Sequence, residues 1–169
     1  MMGPVFQRPI EFGADICVYS LTKYVGGHSD LVAGGITGSA EMLRPVRQAR
    51  SAYGFQLDPH SSWMLARSME TLSLRMERAA DSGRKVATWL AENDLIPCDI
   101  LHPESTNDPV AREIYDRQCS GPGSTFSFVV DDDRESVLSN LENDIGENKL
   151  KGVESVLVAQ DGKIRYENY

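Results

Sequence analysis

Residues 18–30 have the sequence VYSLTKYVGGHSD, in which a short apolar segment ends in two hydroxyl groups and one amine. The amine belongs to Lys23, and the hydroxyl groups belong to Ser20 and Thr22. A lysine amine can condense with an aldehyde, and hydroxyl groups can donate hydrogen bonds to an anion such as a phosphate. Two glycines follow at once, and glycine lets the backbone approach a ligand or adopt positive φ. This pattern is typical of a buried strand that delivers polar side chains to the mouth of a site.

The wider context of Lys23 resembles one protein family. Gly13-Ala14-Asp15 precedes the apolar strand, and the motif continues without a gap to Asp30. This order is similar to the cofactor-lysine region of the Cys/Met metabolism enzymes that depend on pyridoxal 5'-phosphate (PLP). The family includes cystathionine γ-synthase, the cystathionine lyases, methionine γ-lyase and the homoserine sulfhydrylases. Further likeness, within roughly residues 4–130, lies at Pro9, Gly34-Gly35, Arg47, Gly54, Pro59, Arg67, Thr71-Leu72, Leu74-Arg75-Met76, Gln118-Cys119-Ser120-Gly121 and Ser127-Phe128.

The resemblance implies an α/β fold. The chain resembles a fragment of a fold type I, aspartate aminotransferase-like PLP-dependent transferase that ends in a partial α+β domain. The expected parts are 1–58, the C-terminal part of the PLP-binding large domain; 59–92, a long connecting helix; 93–144, a partial small α+β domain; and 145–169, a divergent β-hairpin tail.

The resemblance also implies a chemistry. Lys23 would be the catalytic and cofactor-binding lysine, and Ser20 with Thr22 would hold the PLP phosphate. The reaction would be γ- or β-elimination or replacement on a small sulfur amino acid, as in trans-sulfuration, in a homo-oligomer. Family members are more than twice as long, and their other half carries the phosphate loop, the stacking aromatic and the aspartate at the ring nitrogen. We therefore expect a truncated enzyme that is weak or inactive alone.

Two other interpretations of the sequence stay open. The chain could be a non-catalytic remnant of a fused or degraded gene. Ser20 and Lys23 also satisfy the Ser-x-x-Lys pattern of serine hydrolases, although Ser20 follows a strand-like segment and no Lys-Thr-Gly occurs. The tail around Asp161-Gly162 predicts two strands joined by a two-residue turn, and it resembles the opening hairpin of β-lactamase-related serine hydrolases.

Composition narrows the class of protein. The formal charge of −8 argues against nucleic acid or an anionic membrane as partner. No apolar run approaches the ~20 residues of a membrane span, and the start lacks a signal-peptide pattern. Three widely spaced cysteines fit a reducing compartment, so we expect a cytoplasmic protein. The three histidines are too scattered to suggest a metal site.

Local patterns predict the secondary structure. The two apolar strands show little alternation, which is typical of strands covered on both faces, yet without the family's other half they would expose apolar surface. Arginines are expected on solvated helix faces or in ion pairs; they are Arg44, Arg47, Arg50, Arg67, Arg75 and Arg78. The predicted strands are 16–19, 32–37 and 124–130, and the predicted helices are 40–52, 59–92, 110–117 and 135–144.

Overall fold

The described residues form helices of 4 to 21 residues and two sheets of two strands each. A computed structural model describes residues 2–92, 100–128, 139–140, 143–147, 156–160 and 163–168. In chain order the elements are α1 (Gly3–Phe6), a 3-10 helix (Pro9–Phe12), β1 (Ile16–Ser20), β2 (Gly34–Gly38), α2 (Ala40–Tyr53), α3 (Pro59–Met69), α4 (Leu72–Glu92), α5 (Pro109–Gln118), β3 (Val156–Gln160) and β4 (Lys163–Asn168).

The chain divides into two compact units. One unit combines residues 2–77 with 116–121, and the other combines residues 78–115 with 122–169. The boundaries expected after residues 58, 92 and 144 remain predictions.

Strands β1 and β2 pair antiparallel, with Ile16 opposite Gly38 and Ser20 opposite Gly34. Cys17 is buried, whereas its neighbour Val18 is 75% exposed. Because successive strand residues point to opposite faces, only one face of this pair is covered by the residues that the structure describes. Coverage of both faces is therefore a wrong expectation here, and the expectation of exposed apolar strand surface is confirmed.

Capping residues fix the starts of α2 and α3. Ser39 Oγ accepts a hydrogen bond of 3.2 Å from the Met42 amide at the start of α2. Asp58 Oδ1 accepts one of 2.9 Å from the Ser61 amide, and Pro59 is the first residue of α3. These contacts satisfy amides that a helix start leaves without intrahelical partners. The helix predicted over 40–52 and the helix start predicted at Asp58-Pro59 are both confirmed.

The single helix predicted over 59–92 is wrong, because α3 ends at Met69 and α4 begins at Leu72. The Ser68 carbonyl accepts hydrogen bonds from the Thr71 amide and the Thr71 hydroxyl, each at 3.4 Å. It also accepts one of 2.8 Å from Nη2 of Arg75. These three donors satisfy a carbonyl that would otherwise continue the α-helical ladder, so the helix stops there. The role of the 59–92 segment as a connection between domains remains a prediction.

The core of the first unit joins the segment after β1 to α3. Val25, Leu31 and Leu65 are buried together. Burial of each such side chain contributes roughly 1.5–3 kcal/mol. Partly buried neighbours complete this cluster; they are Leu21, Ala33, Met64 and Leu72. The chemistry-bearing segment around Lys23 is thus fixed by packing on both of its sides.

Helix α5 confirms the helix predicted over 110–117, and its residues up to Tyr115 belong to the second unit. Asp108 Oδ1 caps it by accepting a 2.9 Å hydrogen bond from the Val110 amide. The strand predicted over 124–130 reduces, among residues 124–128, to one bridge between Leu101 and Ser127. Residues 129–130 lie outside the described residues. The helix predicted over 135–144 lies partly outside them as well; 139–140 and 143–146 are helical.

Strands β3 and β4 pair antiparallel, with Val156 opposite Asn168 and Gln160 opposite Lys163. The two strands predicted around Asp161-Gly162 are confirmed, while those two residues lie outside the described part of the chain. Among the described helices, none has the length and apolar content to cross a membrane.

Candidate active site around Lys23

Residues 21–27, here called the Lys23 turn, follow β1 directly. Three backbone hydrogen bonds close the turn: Lys23 N to Ser20 O at 3.4 Å, Gly26 N to Leu21 O at 2.8 Å, and Gly27 N to Lys23 O at 2.7 Å. The Lys23 side chain is exposed. Among the described residues, none forms an ion pair with its amine. The turn therefore presents a primary amine to a ligand from a backbone that is itself fixed.

The two predicted phosphate-binding hydroxyls differ in their surroundings. Ser20 ends β1 and its side chain is exposed. Thr22 Oγ1 instead donates to the Ala33 carbonyl at 3.3 Å and accepts from the Ala33 amide at 2.9 Å. Because a hydroxyl carries one hydrogen, Thr22 can donate to a phosphate only by releasing Ala33. The structure brings Ser20, Thr22 and Lys23 into one segment, with Thr22 already engaged.

Arg75 holds the far end of the Lys23 turn. Its Nη1 donates to the Tyr24 carbonyl at 2.6 Å, and its Nη2 donates to the Val25 carbonyl at 3.2 Å. The expectation that Arg75 lies on a solvated face or in an ion pair is wrong, because three backbone carbonyls and the Thr71 hydroxyl occupy its donors. Sequence reasoning missed this role; the only signal was the position of Arg75 within Leu74-Arg75-Met76 of the family likeness.

Gly27 is required where the turn meets Arg75. Its φ is +79°, a backbone conformation that residues other than glycine rarely adopt. A Cβ placed on Gly27 would also lie 2.7 Å from Cζ of Arg75. Glycine at this position thus permits both the backbone conformation and the close approach of the guanidinium group.

The surroundings of Lys23 bear on the other expected chemistries. His28 Nδ1 donates to the Gly26 carbonyl at 2.8 Å, so this histidine serves the loop. Ser20 ends a strand and a turn follows it, so Ser20 and Lys23 do not share the helix start that the Ser-x-x-Lys mechanism uses. In the part of the chain that the structure describes, no group of three or more His, Cys, Asp or Glu side chains is placed to hold a metal ion.

The donor set fits PLP in its chemistry. The exposed Lys23 amine suits the aldehyde of that cofactor, and the exposed Ser20 hydroxyl suits its phosphate. Thr22 fits only after its hydrogen bond to Ala33 rearranges. Two of the three predicted residues are therefore available to a ligand as they stand.

A second polar cluster lies in the other unit. This Glu104 cluster consists of Arg84, Glu104, Arg112 and Tyr115. Arg84 donates from Nε to Glu104 Oε2 at 2.7 Å and from Nη2 to Oε1 at 3.0 Å. The Tyr115 hydroxyl donates to Oε1 at 3.2 Å, and Arg112 Nη1 donates to the Glu104 carbonyl at 2.7 Å. The hydrogen bond from Arg84 lowers the pKa of Glu104 below its usual value.

The chain is similar to known enzymes along most of its length. A family model described as Cys/Met metabolism PLP-dependent enzyme matches residues 1–162. This match continues well past residue 130, where the likeness was expected to fade. The resemblance of the C-terminal hairpin to β-lactamase-related serine hydrolases stays a prediction.

Individual relatives support the family match. Cystathionine gamma-lyase of Bacillus subtilis (strain 168) is 37% identical over 157 residues, which cover 91% of this chain and 41% of the relative. Cystathionine beta-lyase of Lactococcus lactis subsp. cremoris (strain MG1363) is 35% identical over the same shares. The chain thus spans 41% of the length of these relatives.

A solved structure supports the fold. The crystal structure of cystathionine gamma-lyase from Lactobacillus plantarum, complexed with L-serine, matches with a TM-score of 0.71 and 31% identity. The match covers 78% of this chain and 34% of that chain. The chain therefore has a partial α/β fold of the PLP-dependent fold type I class.

Proposed function

The chain belongs to the Cys/Met metabolism PLP-dependent enzyme family, and from that premise we propose that it binds PLP and serves elimination or replacement chemistry on sulfur amino acids. The observation that carries this proposal is the exposed Lys23 amine on a turn fixed by backbone hydrogen bonds. Relatives named for γ-lyase and β-lyase activity match over equal shares, so the proposal extends to the substrate class and not to one substrate.

The proposed roles follow from the groups that each residue offers. Lys23 Nζ would hold the cofactor covalently and then accept and return a proton at the substrate Cα. The Ser20 hydroxyl would donate to the phosphate, joined by Thr22 once Ala33 is released. When bound, PLP supplies an electron sink for the negative charge that develops at Cα.

We expect little or no turnover from this chain alone. The Lys23 side chain lies exposed to water, whereas electrostatic stabilisation of a transition state works best in a site that excludes water. Loss of one such stabilising contact costs ~10²–10³ in rate. Robust release of an α-keto acid from cystathionine or methionine would contradict this expectation.

A second candidate is a non-catalytic member of the family. One observation favours it: both hydrogen-bonding directions of the Thr22 hydroxyl are used by Ala33. In that case the Lys23 turn would serve only to pack Val25 into the core, and the chain would not bind PLP at a specific site.

Absorbance of the purified chain during a PLP titration separates the two candidates. Wild type should develop a saturable visible band that free PLP lacks, and Lys23→Ala should lose it. Lys85→Ala is the matched control, since the Lys85 amine is already paired with Asp81 at 2.8 Å. The control should behave as wild type, and equal spectra for wild type and Lys23→Ala would refute the cofactor proposal.

We further propose that the chain self-associates and resides in the cytoplasm. Val18 lies directly opposite Ile36 in the pair of β1 and β2, and both side chains are exposed. Exposed apolar side chains on a short open sheet favour pairing between chains. Sedimentation should show species larger than the 18.7 kDa monomer, and their share should fall in a Val18→Thr, Ile36→Thr variant. A monodisperse wild-type monomer would contradict the association.

A further inference from the structure

We propose that Arg75 is a positioning residue for Lys23, an inference that rests on the proposed function of Lys23 as the cofactor lysine. The guanidinium group of Arg75 fixes the backbone immediately after Lys23 and so determines where the amine is presented. Arg75 itself lies half-buried, whereas Lys23 is exposed.

The hydrogen bonds of Arg75 connect three parts of the first unit. Nη1 and Nη2 donate to the carbonyls of Tyr24 and Val25, which are the first and second residues after Lys23. Nη2 also donates to Ser68 O at 2.8 Å, at the end of α3, and Nε donates to Thr71 Oγ1 at 3.0 Å, just before α4. One planar fork of donors therefore ties the Lys23 turn to the junction of two helices.

The turn has little room to move while Arg75 stays in place. Gly27 N donates to the Lys23 carbonyl, and the absent Cβ of Gly27 leaves the space that the guanidinium group fills. Val25, between these contacts, is buried against Leu65 and Leu31. A rotation that moved the Lys23 Cα would have to break hydrogen bonds to Arg75 or expose Val25.

A lysine at position 75 could not reproduce this arrangement. Arg75 uses three nitrogens in a rigid plane to reach its acceptors, whereas lysine carries one ammonium group on a flexible stem. Arg75→Lys would keep the positive charge and lose the planar arrangement of hydrogen-bond donors. This difference separates a positioning role from a general electrostatic one.

The test combines two readouts on the full chain: amide hydrogen exchange without PLP, and the share of borohydride-fixed PLP found on Lys23. Arg75→Met should speed exchange at the Gly26 and Gly27 amides by at least about tenfold, with smaller changes in β1. In Arg75→Met the share of fixed PLP on Lys23 should fall and the share on other lysines should rise. Arg75→Lys should restore only part of the share on Lys23. Arg47→Met, which removes an exposed arginine of α2, is the matched control and should change neither readout.

Each outcome has a distinct meaning. Uniform acceleration of exchange across the unit would show a merely structural role and overturn the inference; so would unchanged labelling of Lys23 in Arg75→Met. Absence of label on Lys23 in the wild type would overturn the proposed function, and the positioning role with it. If Arg75→Met does not fold, Arg75→Lys takes its place, because it keeps the positive charge without the planar fork of donors, and the same two readouts apply.

Discussion

Arg75 binds the Lys23 turn and Arg84 binds the carboxylate of the Glu104 cluster, but the acceptors of these two arginines differ in kind. Arg75 donates to the uncharged carbonyls of Tyr24, Val25 and Ser68. Arg84 donates twice to the carboxylate of Glu104, and the Arg84 and Glu104 side chains are 46% and 32% exposed. One arginine thus fixes a backbone conformation, while the other forms an ion pair that titrates and can be screened.

This difference shows how each arginine contributes to its surroundings. Carbonyl acceptors keep their hydrogen-bonding capacity at any pH, so the Lys23 turn should keep its shape over a wide range of conditions. A carboxylate acceptor loses its charge in acid, and its attraction to arginine weakens in salt. Trp63 lies in the first unit and Trp89 in the second, so Trp63 fluorescence is read in a Trp89→Phe background and Trp89 fluorescence in a Trp63→Phe background.

The largest expected effect is that of Gly27→Ala. Positive φ and displacement of Arg75 should together lower the free energy of unfolding by about 3 kcal/mol. Gly54→Ala is the control, because its φ of +75° is similar and nothing lies within 4 Å of the added Cβ. It should cost only about 1 kcal/mol. Urea unfolding followed by Trp63 fluorescence measures both, and equal costs would remove the special role of Arg75.

The next effect concerns Glu104→Gln and pH. The pKa of Glu104 is lowered by its hydrogen bond from Arg84, so the folded carboxylate stays charged to lower pH than the unfolded one, whose pKa is about 4.3. Its stabilisation is fully present above the unfolded pKa and is lost as pH falls through the folded pKa. At pH 7 the free energy of unfolding of Glu104→Gln should be roughly 1 kcal/mol lower than that of wild type. This difference should shrink below about pH 4.

The contrast with Arg75 sharpens this pH test. The cost of Arg75→Met should be the same at pH 7 and at pH 4, because the carbonyl acceptors do not titrate. Urea unfolding followed by Trp89 for Glu104→Gln, and by Trp63 for Arg75→Met, measures the two costs. A pH-dependent cost for Arg75→Met would place an unrecognised acid beside Arg75.

The next effect is smaller and concerns the salt dependence of the destabilisation by Glu104→Gln and by Arg75→Met. At 1 M salt the screening length falls to about 3 Å, so the cost of Glu104→Gln should decrease by roughly 0.5 kcal/mol. The cost of Arg75→Met should change by less. Parallel urea titrations in low and high salt provide the measurement, and an equal response of both variants would contradict the distinction.

The smallest expected effect is that of Arg47→Met. This arginine is exposed on α2, so its loss should shift the free energy of unfolding by no more than about 0.5 kcal/mol. Thermal unfolding of the variant beside wild type is sufficient to measure the shift. A larger shift would show that removal of any arginine destabilises the unit, and the comparison between Arg75 and Arg84 would lose its meaning.

Much of the fold could be predicted because its signals are local. Asp58 and Pro59 mark a helix start by the chemistry of neighbouring residues, and the strands of the hairpin flank a turn motif. The break between α3 and α4 could not be predicted, because the apolar spacing continues from Leu65 to Met76 across it. It depends on where the Arg75 side chain goes, which no local pattern records.

The candidate site could be predicted only in part for the same reason. The motif identified Ser20, Thr22 and Lys23, since their spacing along the chain carries the resemblance. The hydrogen bond from Arg75 to Tyr24 joins residues 51 positions apart. The engagement of Thr22 with Ala33 spans 11 positions. Such contacts arise when the chain packs, so sequence spacing could not reveal them.

The most direct test of Lys23 as the cofactor lysine is the distribution of reduced label over the five lysines of the chain. The chain would be mixed with equimolar PLP, reduced with borohydride, digested and mapped by mass spectrometry. The fixed turn and exposed amine predict that Lys23 carries most of the label. An even spread over all five lysines would contradict the assignment of Lys23.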